Sequence, residues 1–400
     1  VDTSVRRPGT AVADGYRTAF ADWLACAAAG AEEPAARAMR ASGAGLIADV
    51  AHAATAGHVL DYDDTYAAGV AHLSAACAPA ALVTAASLGG TIGAALDAYA
   101  IGFEAMAALA AAAHPVLYDG GWHPTAVCAP LGAAAAAAEL LELDPDGRER
   151  AAALAMLRAG GARGAFGSDG KAIQVGLAAA SGVQAALLAR AGAHAGAAAL
   201  DGPLGSLTVL GVRRPSAARP APAVAENWIK LLPSCLGTHS PVEAAIGARA
   251  GGHRLAEGRL EVRVHPRARQ AAHLDLVQDG LSAKFSIPYC VALAALHGTP
   301  GVGDFAAVDP EVLARSREIR VAVDPALPEF GAVLSLAGVE LARVDCPRDS
   351  PARPAGEAEL AAKLADLAGA RLQGVLADPG APAAAVLDAA GLGPAAAPGS

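Results

Sequence analysis

The chain is poor in lysine, in aromatic rings and in charge. Four of its 400 residues are lysine (Lys171, Lys230, Lys284 and Lys363), aromatics make up 4% and charged residues 17%. The formal net charge of −9 leaves no basic stripe, and rings this scarce build no stacking platform, so nucleic acid is not expected as a partner. The six cysteines (Cys26, Cys77, Cys128, Cys235, Cys290, Cys346) are dispersed, without a Cys-x-x-Cys pair. Neither a zinc or iron–sulfur site nor a disulfide framework is expected from them. Residues 1–8 hold no apolar stretch of the kind a signal peptide needs. Mean hydropathy is high, +0.37, but alanine supplies much of it. The longest uncharged run, 67–96, is interrupted by His72, Ser74, Pro79, Thr84, Ser87 and Gly89-Gly90, which disfavours a spanning helix. The expectation is a cytoplasmic protein with no membrane partner.

Arginine supplies nearly all the cations, so a retained lysine marks a place where a compact ammonium or a deprotonatable amine is chemically required. Lys171 and Lys230 read that way. Lys284 fits either that reading or chance survival, and Lys363, in the amphipathic run 357–364, reads as a surface residue.

Four hundred residues allow two or three domains and an ample core. From about 16 to 200, alanine and leucine recur at helical spacing, broken by Gly-Gly pairs and by Pro115, Pro124 and Pro145. Asp144-Pro145-Asp146 reads as a helix start, and the abundance of small residues implies close approach of helix backbones. After the proline-rich stretch 214–222, segments 260–265, 319–324, 332–336 and 339–342 alternate with period two and read as half-buried strands. The last two read as a hairpin through Ala337-Gly338. A helical pattern resumes near 356, and the tail 391–400 reads as frayed. The predicted architecture is mostly α: a large all-helical domain (1–229), a smaller inserted α+β lid domain (230–352), and C-terminal helices (353–400) returning to the helical domain.

Polar residues are gathered in five islands. The most informative is His58-Val-Leu-Asp61-Tyr-Asp63-Asp64-Thr65-Tyr66, followed by His72. Three carboxylates within four positions repel one another, and between two apolar stretches they persist only if cations, a ligand or a metal offset the cost. On a helix, Asp61 and Thr65 share a face at i, i+4. The second island is Gly120-Gly121-Trp122-His123-Pro124-Thr125, and the third is Gly167-Ser168-Asp169-Gly170-Lys171-Ala-Ile-Gln174-Val-Gly176. The fourth is Trp228-Ile-Lys230-Leu-Leu-Pro233-Ser234-Cys235-Leu-Gly-Thr238-His239, and the fifth is Ala283-Lys284-Phe285-Ser286-Ile-Pro288-Tyr289. The glycines around Lys171 lack the spacing of a phosphate loop. Cys235 and His239 lie four apart, but sequence proximity alone does not make a nucleophile–base pair.

In this order, the five islands resemble the MmgE/PrpD family over about residues 15–370; its members include 2-methylcitrate dehydratase, cis-aconitate decarboxylase and iminodisuccinate epimerase. The resemblance implies a helical domain with an α+β lid, a homodimer, and an interdomain cleft without metal or organic cofactor. It implies a small di- or tricarboxylate substrate and proton transfer at a carbon next to a carboxylate, followed by loss of water, loss of CO₂ or return of the proton to the other face. Dehydration of a (methyl)citrate-like acid is the leading expectation. Asp61, His72, His123, Lys171 and Tyr289 are the implied catalytic residues; Thr65, Lys230, Gln174 and His239 are the implied substrate contacts. The chemistry suits them independently of the resemblance: imidazoles carry protons near neutrality, and ammonium groups in a dry cleft stabilise developing negative charge. Two departures argue against a citrate-like substrate. Gln174 and Leu177 stand where many members have histidine and arginine, and Tyr66 stands where histidine is frequent.

Other readings compete. Asp61-Tyr-Asp63-Asp64 also fits the Asp-x-Asp-Asp pattern of terpene cyclases, but three tryptophans, six tyrosines and six phenylalanines are too few to line a carbocation cavity. Magnesium or manganese on the same carboxylates is a second alternative. A non-catalytic binding protein on the same fold is a third, disfavoured by the retention of both histidines and both cleft lysines.

Overall fold

The computed structural model describes residues 10–215, 221–372 and 374–394. Most of the proline-rich stretch, the segment 1–8 and the last part of the tail lie outside these. The helical part is built on α1 (Thr10–Gly30), α2 (Leu46–Val59), α3 (Ser74–Ser87), α4 (Ile92–Ala113), α5 (Pro124–Leu140) and α6 (Gly170–Arg190). Alanine dominates their buried faces, and it carries the highest helix propensity with the least bulk. Helices α5 and α6 form the centre, with α4 against α5, and α2 against α6. A Cβ on Gly176 of α6 would stand 2.2 Å from Thr55 Oγ1 and 2.6 Å from Ala51 O of α2. Only glycine permits this crossing, which brings Lys171 over the end of α2. The 67–96 run is divided between a 3₁₀ turn, α3 and the start of α4, with Gly89 at φ +68° between the helices. Helices α4 and α6 are long and apolar enough to cross a membrane, but both pack into this core.

The second core is α+β. Strands β1 (Thr65–Tyr66) and β2 (Asn227–Trp228) make a small antiparallel pair. Strands β3 (Leu260–Val264), β4 (Arg320–Val323), β5 (Ala332–Leu336) and β6 (Val339–Val344) form a mixed sheet ordered β4–β3–β5–β6, in which only β3 and β4 are parallel. Ala337 (φ +49°) and Gly338 (φ +85°) turn the predicted hairpin; two left-handed residues match the strand twist. Helix α7 (His239–Ala250) packs on the sheet, and α8 (Ile287–His297) packs on α7. The chain then returns: α9 (Glu357–Ala368) lies on α1 and α10 (Ala383–Ala390) on α3.

Lys363 corrects the surface reading. It is buried in α9, donates to Tyr62 O at 2.8 Å and Lys230 O at 2.9 Å, and pairs with Asp22. Burial opposes its charge, but the Asp22 carboxylate wins and raises its pKa. The ammonium thus ties the C-terminal segment to the carbonyls beside the acidic island.

Candidate active site

The site begins where α2 stops. Asp61 adopts φ +53°, a left-handed conformation uncommon outside glycine and retained where surroundings enforce it. Lys284 Nζ donates to Leu60 O and Lys230 Nζ to Asp61 O, so two ammonium groups satisfy carbonyls at the negative end of the helix. The expected helical i, i+4 relation between Asp61 and Thr65 is therefore absent. Thr65 sits on β1, opposite Trp228, and meets Asp61 across a cavity instead.

The three carboxylates escape mutual repulsion by pointing at different partners. Asp61 Oδ1 lies 2.7 Å from Lys171 Nζ and 3.4 Å from Lys230 Nζ; burial alone would raise its pKa, but the two ammonium groups hold it well below the usual carboxylate range. Asp63 Oδ2 faces His58 Nδ1 at 2.9 Å and His72 Nδ1 at 3.2 Å; burial opposes its charge too, and the imidazoles outweigh it. Asp64 accepts from Ser74 Oγ and, at 2.6 Å, from Asn227 Nδ2. Burial pushes Asp64 up to about 7 against these hydrogen bonds.

Three imidazoles stand together above them, His58 4.7 Å from His72 and 5.9 Å from His123 between ring centroids. Their proton positions follow from their partners. Gln174 Oε1 accepts from Ala162 N at 2.9 Å, which orients the amide, so Nε2 donates to His123 Nδ1 at 2.7 Å. The proton of His123 is consequently on Nε2. Burial, followed by Lys171, holds the His123 pKa far below its ordinary value, keeping the ring neutral. His72 is oriented the other way: its Nδ1, 3.2 Å from Asp63 Oδ2, carries the proton that points at that carboxylate, and Nε2 is turned away from it. His58 donates from Nδ1 to Asp63 and accepts from Lys171 Nζ at 3.0 Å on Nε2; burial brings its pKa down to about 4. Asp63, His58, Lys171 and Asp61 form one continuous buried chain.

A cavity opens onto this array. The helical part contributes Asp61, Thr65, His72, His123, Phe166 and Lys171, among others. The α+β part contributes Leu236, Gly237, Ala268, Ala271, Phe285 and Phe330, with Arg267 and Glu329. A Cβ on Gly237 would stand 2.6 Å from Ala268 O, so glycine lets the wall close on itself.

The sequence profile of the MmgE/PrpD N-terminal domain matches residues 1–216, and that of the MmgE/PrpD C-terminal domain matches residues 232–380. The chain belongs to the MmgE/PrpD family. No curated protein matches it closely enough to count as a relative.

Seen as an MmgE/PrpD protein, five of its nine expected site residues line one cavity: Asp61, Thr65, His72, His123 and Lys171. Lys230 and Gln174 stand one layer behind, acting on Asp61 and His123. Two do not reach it. Tyr289 is fully buried in α8, where its hydroxyl accepts from Asp309 N at 3.0 Å. His239 is held at both ring nitrogens, by Asp349 and by Ser234 O. The Cys235–His239 pair does not form: His239 has no free nitrogen, and burial pushes the Cys235 thiol up to about 11. Of the departures from the family pattern, Leu177 is exposed on α6 and Tyr66 bonds Glu226, so neither alters the cavity wall. His58, Asp63, Phe330 and the Arg267–Glu329 pair were not among the expected residues. The acidic island contained the first two, and their roles follow from its fold.

The carboxylates of Asp61, Asp63 and Asp64 do not converge on one point, which removes the basis for a magnesium or manganese site on all three. Among the described residues, His58, Asp63 and His72 are the group whose ligand atoms lie within 4.8 Å of one another. Both nitrogens of His58 are already engaged, so an ion there would compete with Lys171 and Asp63. The set fits a hydrogen-bonded dyad pair better than a metal centre.

Proposed function

We propose that this protein is a cofactor-independent lyase removing water from a small β-hydroxy carboxylic acid, of which the (methyl)citrate type is one. His72, held by Asp63, takes the proton from the carbon next to the carboxylate on its free Nε2. The carboxylate gains enolate character, and Lys171 Nζ and the Nε2–H of His123 stabilise that charge in a site shielded from water. The carbon–oxygen bond at the β position breaks, the departing hydroxyl takes the proton back from the His72 imidazolium, and a carbon–carbon double bond remains. Protons balance, and His72 ends neutral.

The observation that carries this reading is the pair of imidazoles on one cavity whose Nδ1 partners are opposite in kind, a carboxylate for His72 and an amide donor for His123. It favours a single proton carrier. Epimerisation by two bases needs a second imidazole able to hand over a proton from the far side, and a neutral His123 with Nδ1 occupied by a donor is poorly suited to that. Epimerase of the iminodisuccinate type and decarboxylase of the cis-aconitate type remain the alternatives, and a non-catalytic binder the last. The reading carries with it a cytoplasmic homodimer, checked by sedimentation. Incubation with 2-methylcitrate, cis-aconitate and iminodisuccinate in D₂O, read by NMR, separates the cases. An olefinic acid formed from 2-methylcitrate without CO₂ supports the lyase, exchange with only a stereoisomer as product means epimerisation, CO₂ release means decarboxylation, and no labelling or product anywhere refutes the enzyme reading.

A further inference from the structure

The charges lining the cavity are already balanced. Lys171 is paired with Asp61 at 2.7 Å, and Arg267, at the mouth, lies 3.6 Å from Glu329 and 3.4 Å from Asp119. His123 is neutral for the reasons given above. Behind the lining, Lys230 reinforces Asp61 and Lys284 caps Leu60, while Asp63 adds a negative charge. Among the lining and backing groups, Lys171, Arg267, Lys230 and Lys284 stand against the carboxylates of Asp61, Asp63 and Glu329, an excess of one positive charge and enough for one carboxylate; Asp119, outside the lining and more than half exposed, is screened by water. Three carboxylates entering here would lose hydration and find no free cation to replace it.

The remaining wall is mostly apolar, with the Tyr118 phenol and the Cys235 thiol as its polar exceptions. Leu236, Ala268, Ala271, Phe285 and Phe330 face the cavity from the α+β side, and Val70 from the helical side. The two phenylalanines are anchored, Phe285 at 5.5 Å from Phe166 and Phe330 at 4.8 Å from Trp228 between ring centroids. Such a wall gains free energy by covering hydrocarbon and loses it by stripping water from a charged group.

We infer that the substrate is a β-hydroxy acid with one carboxylate and an apolar remainder, the carboxylate read by Lys171, Thr65 and His123 and the remainder by the phenylalanine-lined wall. The inference rests on the lyase reading for its reactive groups, but its selectivity follows from the wall and the charge balance alone.

Isothermal titration of the intact protein with 3-hydroxyhexanoate and 3-hydroxy-3-phenylpropanoate, against malate and 2-methylcitrate, tests it. The monocarboxylates are expected to bind at least about tenfold tighter. Tighter binding of malate or 2-methylcitrate, or no binding by either monocarboxylate, overturns the inference. NMR in D₂O on the same four acids separates it from the lyase reading. Binding of the monocarboxylates without exchange or water loss in any acid leaves the selectivity standing and sinks the chemistry. Turnover of 2-methylcitrate alone does the reverse. A second arm uses Glu329→Gln, at a partly exposed position, which releases one restraint on Arg267. The malate-to-hydroxyhexanoate affinity ratio is expected to rise about tenfold; an unchanged ratio contradicts the claim that paired charges exclude the second carboxylate. Ala271→Arg, which adds a cation to the wall, should move the ratio the same way.

Discussion

The two faces of the cavity differ in kind. The helical face presents buried ionisable groups wired to one another: Asp61 to Lys171 and Lys230, Asp63 to His58 and His72, Gln174 to His123. The α+β face presents phenylalanine, leucine and alanine, with a single ion pair at the mouth. One face is organised to move a proton and stabilise charge, the other to choose what is bound. Changes on the helical face should therefore lower the rate of the chemical step, and changes on the opposite face should alter affinity.

The largest effect is expected from His72→Gln, which removes the free Nε2: kcat should fall by about 10²–10⁴-fold with KM changed little, measured as water loss or α-deuterium exchange. A variant retaining near-normal exchange would move the base elsewhere. Next comes Asp63→Asn, which leaves His72 in place but withdraws the carboxylate that orients it. A fall in kcat of about 10–100-fold is expected, by analogy with groups that orient a ligating imidazole, with the acidic limb of the pH profile displaced to lower pH; an unchanged profile would reduce Asp63 to a structural role. On the other face, Phe330→Ala should raise KM for an apolar hydroxy acid by about tenfold through lost hydrocarbon contact, leaving kcat within a few-fold. A kcat effect as large as that of Asp63→Asn would erase the contrast between the faces.

Acid stability probes the buried charges themselves. The folded pKa of His58, about 4, lies below the ordinary histidine value of 6.5. The unfolded chain therefore binds the extra proton first, and stability is lost as pH falls from 6.5 toward 4, by up to about 3 kcal/mol. Buried His52, also held near 4, has the same sign. Asp64, raised to about 7, acts oppositely: the folded form holds its proton more tightly, so stability increases as pH falls from 7 toward 3.8. Asp64→Asn removes that compensation, and its urea midpoint should drop more steeply than the parent's between pH 6.5 and 4.5. Parallel curves would mean that Asp64 is ionised at neutral pH. The smallest effect is expected from exhaustive chelation, which should leave exchange unchanged; activity lost and restored by a divalent cation would place an ion among His58, Asp63 and His72.

Much of this was legible in the sequence, for identifiable reasons. Charge and imidazole are rare enough in this alanine-rich chain that each polar island stood out, and period-two alternation marked the strands of the mixed sheet. What failed was local geometry inferred from neighbourhood. Tyr289 follows Lys284 closely, yet its place on α8 turns the ring into the second core. The family resemblance implies His239 as a substrate contact, but Asp349, more than a hundred residues later, claims its ring. Asp61 and Thr65 were expected on one helix, whereas the left-handed turn at Asp61 ends that helix early. Lys363 looked like surface because its own helix is amphipathic; its partners Asp22, Tyr62 and Lys230 come from three distant segments. Gln174, a departure from the family pattern, proves to be the group that orients His123.

Nitrogen-15 NMR of the imidazole rings in the intact protein at pH 7 examines the central claim most directly. The account predicts that His72 holds its proton on Nδ1, toward Asp63, and that a neutral His123 holds its proton on Nε2, opposite tautomers facing one cavity. Identical tautomers, or a His123 carrying both protons, would contradict it.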